Sequence, residues 1–150
     1  MAETRSIHIS GYNRQAEDFY STPDWVTRCL LSQIVLGGPV WEPCCGDGAI
    51  ARVIAGAGHS VVATDLADYG FGTAGVDFFS CREFPAGCRA LVTNPPYGDG
   101  GGSLKGVHVP GALLHFVRHA IRLTEQADGQ LALLVRLVRL PLPAIPVRPV

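Results

Sequence analysis

An excess of positive charge is what this chain most plainly lacks: 12 lysines and arginines face 13 aspartates and glutamates, for a formal net charge of −1. No diffuse field draws it onto nucleic acid, so any polyanion contact has to come from a local patch or a partner chain. Cysteine pairing is missing too. The five cysteines are an odd number with no C-x-x-C pair; Cys44 and Cys45 are adjacent, and Cys29, Cys81 and Cys88 are scattered. Neither a disulfide framework nor a zinc site is indicated, and reduced cytosolic thiols are the better reading. The opening MAETRSIHIS has no apolar core of a secretory signal. Arg136 and Arg139 interrupt the longest apolar run, so none reaches membrane-spanning length. There is no internal repeat. A soluble cytoplasmic protein without membrane or metal partners is expected.

What is present suits one globular domain: 150 residues, 47% apolar and only 17% charged. Residues 1–18 are polar and unpatterned, an arm. A helix start follows at Ser21, Thr22, Pro23 and Asp24, with Thr22 as cap, Pro23 at the first helical position and Asp24 at the positive end. Trp25, Cys29 and Ile34, with Val26, Leu30 and Leu31, recur at helical spacing until Gly37-Gly38-Pro39. Strands are expected at 40–45, 60–66, 76–79, 90–93 and 130–138. Helices are expected at 49–57 and 110–126; the glycine-rich stretch 68–75 is too weak for one. Trp25 and Trp41 read as core. Strands alternating with helices imply an α/β fold with a doubly wound parallel sheet over 19–138. Residues 139–150 carry Pro141, Pro143, Pro146 and Pro149, a density that forbids regular structure.

The first motif is WEPCCGDGAI at 41–50. A strand turns through two glycines into a helix, where backbone must turn tightly and a ligand can approach. Gly46, Gly48 and Ala51 satisfy the dinucleotide pattern G-x-G-x-x-A, and Asp65, ending the next strand, could hold two ribose hydroxyls. This much fits any nucleoside-bearing ligand, NAD included. Glu42 discriminates: a carboxylate before the glycine turn repels pyrophosphate and attracts the ammonium or sulfonium of S-adenosylmethionine. A plain tight turn, or Glu42 paired with a nearby arginine, are the bland alternatives.

The second motif is Asn94-Pro95-Pro96-Tyr97, directly after the fourth expected strand. An aromatic amine is a poor nucleophile because its lone pair is delocalised into the ring. Acceptors for its N–H groups turn that lone pair outward, and the Asn94 side-chain oxygen and Pro95 carbonyl are suitable. Two prolines stiffen the corner, and Tyr97 offers a face for an extruded base.

In order, DFYSTP, WEPCCGDG, ATDL, VDFF and VTNPPYG resemble the class I S-adenosylmethionine-dependent methyltransferases of the N6-adenine DNA type, particularly short phage and prophage forms, over 18–138. The resemblance implies a Rossmann-like sheet, S-adenosylmethionine as cofactor and DNA as substrate. It implies that Tyr20, Thr22 and Pro23 approach the methionine moiety and that Glu42, Pro43, Cys44, Gly46 and Gly48 line the cofactor. Asp65 and Leu66 would lie at the ribose, Asp77 would accept from the adenine amine, and Phe78 would lie along its ring. Asn94, Pro95, Pro96 and Tyr97 would hold the target amine. The same signature serves enzymes acting on cytosine N4, on RNA or on protein glutamine. Past Arg139 the pattern departs: two further family strands give way to the proline-rich tail. The expectation is therefore a shortened sheet, its fifth strand an edge open to a partner or a second copy, and a remnant that binds cofactor without turnover stays open.

Weaker signals point elsewhere. His115 and His119 have a zinc spacing but Phe116 stands where a metalloprotease has Glu, and GDGGGS lacks a P-loop ending. Arg118 and Arg122 read as a solvated face.

Overall fold

A computed structural model describes residues 21–96, 103–104, 107–108 and 112–135. The expectations placed on the arm, on Tyr20, on Tyr97 with most of its glycine loop, and on the tail lie outside the described residues. In chain order the elements are α1 (Asp24–Gln33), β1 (Val40–Glu42), α2 (Ala49–Gly56), β2 (Val61–Ala63), a 3-10 turn (Phe78–Ser80), β3 (Ala90–Thr93), β4 (Ser103–Leu104), β5 (Val107–His108), α3 (Ala112–Gln126) and β6 (Gln130–Leu133). Four strands form one all-parallel sheet in the order β2-β1-β3-β6, while β4 and β5 make a separate antiparallel pair. This is an α/β architecture compatible with a doubly wound, Rossmann-like fold.

Alternation along the strands explains why both faces are covered. Val40, Ala90 and Val92 point to one side and join Leu36, Ile50 and Ile54, with Leu30, Leu31 and Ile34 of the α1 region packed against them. Trp41 and Leu91 point to the other, into a cluster with Phe78, Phe84, Cys88, Phe116, Ala120 and Leu123. The last three recur at helical spacing on α3 and so present one apolar stripe. Trp41, 1% exposed, anchors that side and donates its indole N–H to Thr64 Oγ1 at 3.0 Å; truncation to alanine is expected to cost about 3–5 kcal/mol.

Four expectations need correction. Thr22 does not cap α1: Pro23 is the capping residue and no side chain caps it, because the Thr22 hydroxyl is committed to the site described below. Trp25 is not core but 70% exposed; α1 turns Thr27, Leu30, Leu31 and Ile34 inward, which leaves Trp25 and Cys29 on the outer side. The helix also stops at Gln33, not at the glycines. Gln130 explains the extended chain that follows, since its amide accepts from Gly37 N–H at 2.7 Å and donates to the Val35 carbonyl at 3.0 Å. Lastly, 76–79 is no strand. Asp77 Oδ1 accepts from Phe79 N–H at 3.1 Å and closes a 3-10 turn, while Phe78 drops into the core and stacks on Phe116 with centroids 4.3 Å apart. Just past β2, Thr64 forms an isolated parallel bridge with Thr73.

The order β2-β1-β3-β6 makes the chain leave β1 for one side of the sheet and resume with β3 on the other. Ligands in such sheets bind beyond the carboxyl ends of the two strands flanking that reversal. Both sequence motifs lie there.

Candidate functional site

The first motif begins where β1 ends. Gly46 and Gly48 take φ values of 51° and 84°, the left-handed region that side chains disfavour. At Gly48 a Cβ would also sit 2.4 Å from the Phe71 ring, over which the Arg52 guanidinium lies at 4.6 Å. Three carboxyls surround this turn. Asp65 Oδ2 accepts from Gly46 N–H at 2.9 Å and its Oδ1 from Ala67 N–H at 3.0 Å. Asp47 Oδ1 accepts from Ala49 N–H at 3.1 Å, and its Oδ2 from the Ser21 hydroxyl at 2.9 Å.

Glu42 is the third, and it is 1% exposed. One hydrogen bond comes from the Ala51 amide in the first turn of α2, whereas its Oε2 is buried without a partner. Burial pushes the carboxyl up to about 9; the Ala51 bond opposes this, and the charges of Asp65 and Asp47 add to it. Among the described residues no cation acts on it, so the arginine partner of the bland alternative is not found there. From its sequence position Glu42 is expected to be a fixed negative charge. With its carboxyl pushed up to about 9 it is instead a neutral acid near pH 7.

Asn94 follows β3, next to β1 in parallel register, Val40 beside Ala90 and Trp41 beside Leu91. Adjacent strands run about 4.8 Å apart, so Glu42 and the second motif leave the sheet at neighbouring points of one edge. Asn94 donates its amide N–H to Thr22 Oγ1 at 3.1 Å, and its Oδ1 is buried with no hydrogen bond. The amide is thus turned so that an acceptor is left over. Thr93 Oγ1, also buried, lies against the Cys44 thiol and has no hydrogen bond of regular geometry. Pro95 is buried and Pro96 partly so.

Ser21 and Thr22 therefore clasp both motifs, one through Asp47 and the other through Asn94. Sequence reasoning used Ser21 only as a helix signal and did not single out Asp47 or Phe71. The G-F-G run at 70–72 was the available signal: a Cβ at Gly72 would sit 2.7 Å from the Ala63 carbonyl, so this loop is pressed onto the strand ends and sets Phe71 over the turn.

Other expected site residues fall as follows. Pro43 is buried and Pro23 exposed beside Thr22. Cys44 is partly buried; burial first, then Asp65 and Glu42, raise its thiol far above the ordinary range, so it is no thiolate nucleophile. Leu66 is exposed. Asp77 spends its oxygens on Phe79 N–H and, at 3.1 Å, the Ser80 hydroxyl. Phe78 lies in the core cluster rather than at the strand ends. His119 has both ring nitrogens engaged, by the Phe78 carbonyl at 3.0 Å and Arg122 at 2.9 Å. A cleft of about 490 Å³ lined by Arg82, Glu83, Arg89 and Gln126 opens at the amino end of β3 and includes none of the motif residues.

The strand ends thus bring together a buried acid, a buried side-chain acceptor with no hydrogen bond among the described residues, and a glycine turn under acidic side chains. Comparison with protein-family models, with curated proteins and with solved structures finds no match for this chain.

Proposed function

We propose that the protein is an S-adenosylmethionine-dependent methyltransferase acting on the exocyclic amine, N6, of adenine in DNA. One observation carries the reading: at adjoining strand ends, Glu42 Oε2 and Asn94 Oδ1 are both buried without a hydrogen-bond partner among the described residues. A buried orphan acceptor costs about 1–3 kcal/mol. Two of them at one edge are accounted for if a cation answers the first and an amine N–H the second.

S-adenosylmethionine, when bound, supplies an electrophilic methyl group and two cationic centres. Glu42 then loses its proton and faces positive charge, with Asp47 and Asp65 adding to the attraction. The same acids disfavour a pyrophosphate, and Gly46 N–H is already given to Asp65 rather than free for a phosphate oxygen. Both points speak against NAD. Asn94 Oδ1, held by Thr22, accepts one N–H of the target amine, and the Pro95 carbonyl is the second acceptor. Hydrogen bonds from both N–H groups localise the nitrogen lone pair and aim it out of the ring plane. Cys44 stays a neutral thiol, in keeping with direct transfer rather than a covalent enzyme intermediate.

The test is titration calorimetry with S-adenosylhomocysteine, joined to transfer of labelled methyl to DNA, RNA and protein. Asn94→Ala is expected to keep cofactor binding and lose transfer by about a hundredfold or more. Methyl-glutamine or methyl-cytosine without methyl-adenine would replace the substrate, and binding without any transfer would make the chain a cofactor-binding remnant.

A further inference from the structure

Ser21 and Thr22 are neighbours in the chain, yet their side chains reach different motifs. The Ser21 hydroxyl donates to Asp47 Oδ2 at 2.9 Å, inside the glycine turn, while Thr22 Oγ1 accepts from the Asn94 amide at 3.1 Å. Consecutive Cα atoms stand about 3.8 Å apart across a planar peptide, so a displacement of one residue is felt by the other. Pro23 stiffens the pair: its ring holds its own φ at −60° and keeps the residue before it extended. The far end of each bond is firm as well. Asp47 Oδ1 accepts from Ala49 N–H at 3.1 Å and its backbone carbonyl from the Arg52 guanidinium at 3.0 Å. Asn94 continues directly from β3, which is buried throughout. Thr22 is buried, whereas Ser21 is exposed, so packing does not require its hydroxyl.

We propose that Ser21 is a positioning residue that couples the two halves of the site, so that an occupant of the glycine turn prepares Asn94 for the target amine. The inference rests on the functional reading above and adds positive cooperativity between cofactor and target. Showing Asn94 Oδ1 to an amine requires the NH2 arm to stay on Thr22, because an amide released from that bond can rotate to show either arm. A cation drawn to the acids of the turn gives Asp47 a further partner and steadies it. Ser21 passes that restraint to Thr22, and Thr22 passes it to the amide. The path from Asp47 to Asn94 is then ordered once for both ligands, and the second binds at a lower entropic cost. By linkage the enhancement is reciprocal: the target amine tightens the cofactor by the same factor. At position 21 threonine keeps the necessary donor and alanine removes it.

Two measurements on the full chain decide it. The first needs no ligand: chemical denaturation of Ser21→Ala, Asn94→Ala and the double variant. Side chains that share no bond are ordinarily additive; here the double variant is expected to depart from additivity by more than about twofold in the unfolding equilibrium constant. The second is calorimetry with 2′-deoxyadenosine, which carries the target amine, with and without S-adenosylhomocysteine. S-adenosylhomocysteine is expected to tighten the nucleoside by about fivefold or more, Ser21→Ala to cut this to within about twofold, and Ser21→Thr to restore it. Additive denaturation overturns the inference. So does an enhancement that persists in Ser21→Ala, or one missing from a parent chain that binds S-adenosylhomocysteine. A parent that does not bind S-adenosylhomocysteine but denatures non-additively would sink the functional reading and leave the tie between the motifs standing.

Discussion

Glu42 ties the site to pH. Its pKa is about 9 in the folded chain against an ordinary 4.5, so between those values the folded state holds a proton that the unfolded chain has released. Stability contributed by the neutral acid is fully present below about pH 4.5 and is lost as pH rises toward 9, by at most about 1.4 kcal/mol per pH unit. Thermal denaturation from pH 5 to 9 is expected to show this decline, and Glu42→Gln to flatten it. A flat profile in the parent would mean that Glu42 is not a buried neutral acid. For the same reason a cationic ligand has to expel the proton, so its affinity is expected to climb with pH up to about 9. Gly48 offers a separate check. Alanine there meets both a φ of 84° and the Phe71 ring, and is expected to destabilise the fold by about 1–3 kcal/mol in chemical denaturation. Phe71→Ala should relieve the clash part of that cost and leave the backbone part.

Among the elements, α1 shows how far the sequence could be read. Its existence was visible in the apolar spacing, but its facing was not. Trp25, Cys29 and Ile34 looked like one stripe because tryptophan counts as apolar, whereas the inward line runs through a threonine, Thr27, which a hydrophobic pattern skips. β3 matched the expected 90–93 because four consecutive residues are buried and a proline pair follows. VDFF misled because two successive phenylalanines fit a fully buried strand and a core turn equally well, and only the partner ring of Phe116 decides between them. At the site, both motifs and Glu42 could be found from residue types. The bonds from Ser21 and Thr22 could not, since a threonine before Pro-Asp reads locally as a cap and its partner is 72 residues away. Thr22→Val keeps the volume and removes that acceptor. It is expected to leave α1 formed by circular dichroism, cost about 1–3 kcal/mol through the stranded Asn94 N–H, and depress transfer more than cofactor binding.

For the whole molecule, the parallel sheet joins two halves that meet between β1 and β3, and the proposed cofactor would touch both. S-adenosylhomocysteine at a hundredfold excess over Kd is expected to add about 2.7 kcal/mol, roughly 5–10 °C in melting temperature for a chain of this size. NAD at the same concentration is expected to add nothing; a shift with NAD alone would turn the reading toward hydride transfer. Thr22 and Asn94 carry the same union of halves down to a single bond. A side-chain amide has an oxygen on one arm and an NH2 on the other, nearly equal in shape and opposite in what they seek. With the threonine accepting from the NH2 arm, the corner presents its oxygen, which under the proposed function suits a base edge that offers an amine. Swing the amide through half a turn and the hydroxyl would donate where it now accepts, leaving the NH2 arm to face outward and suit a carbonyl instead.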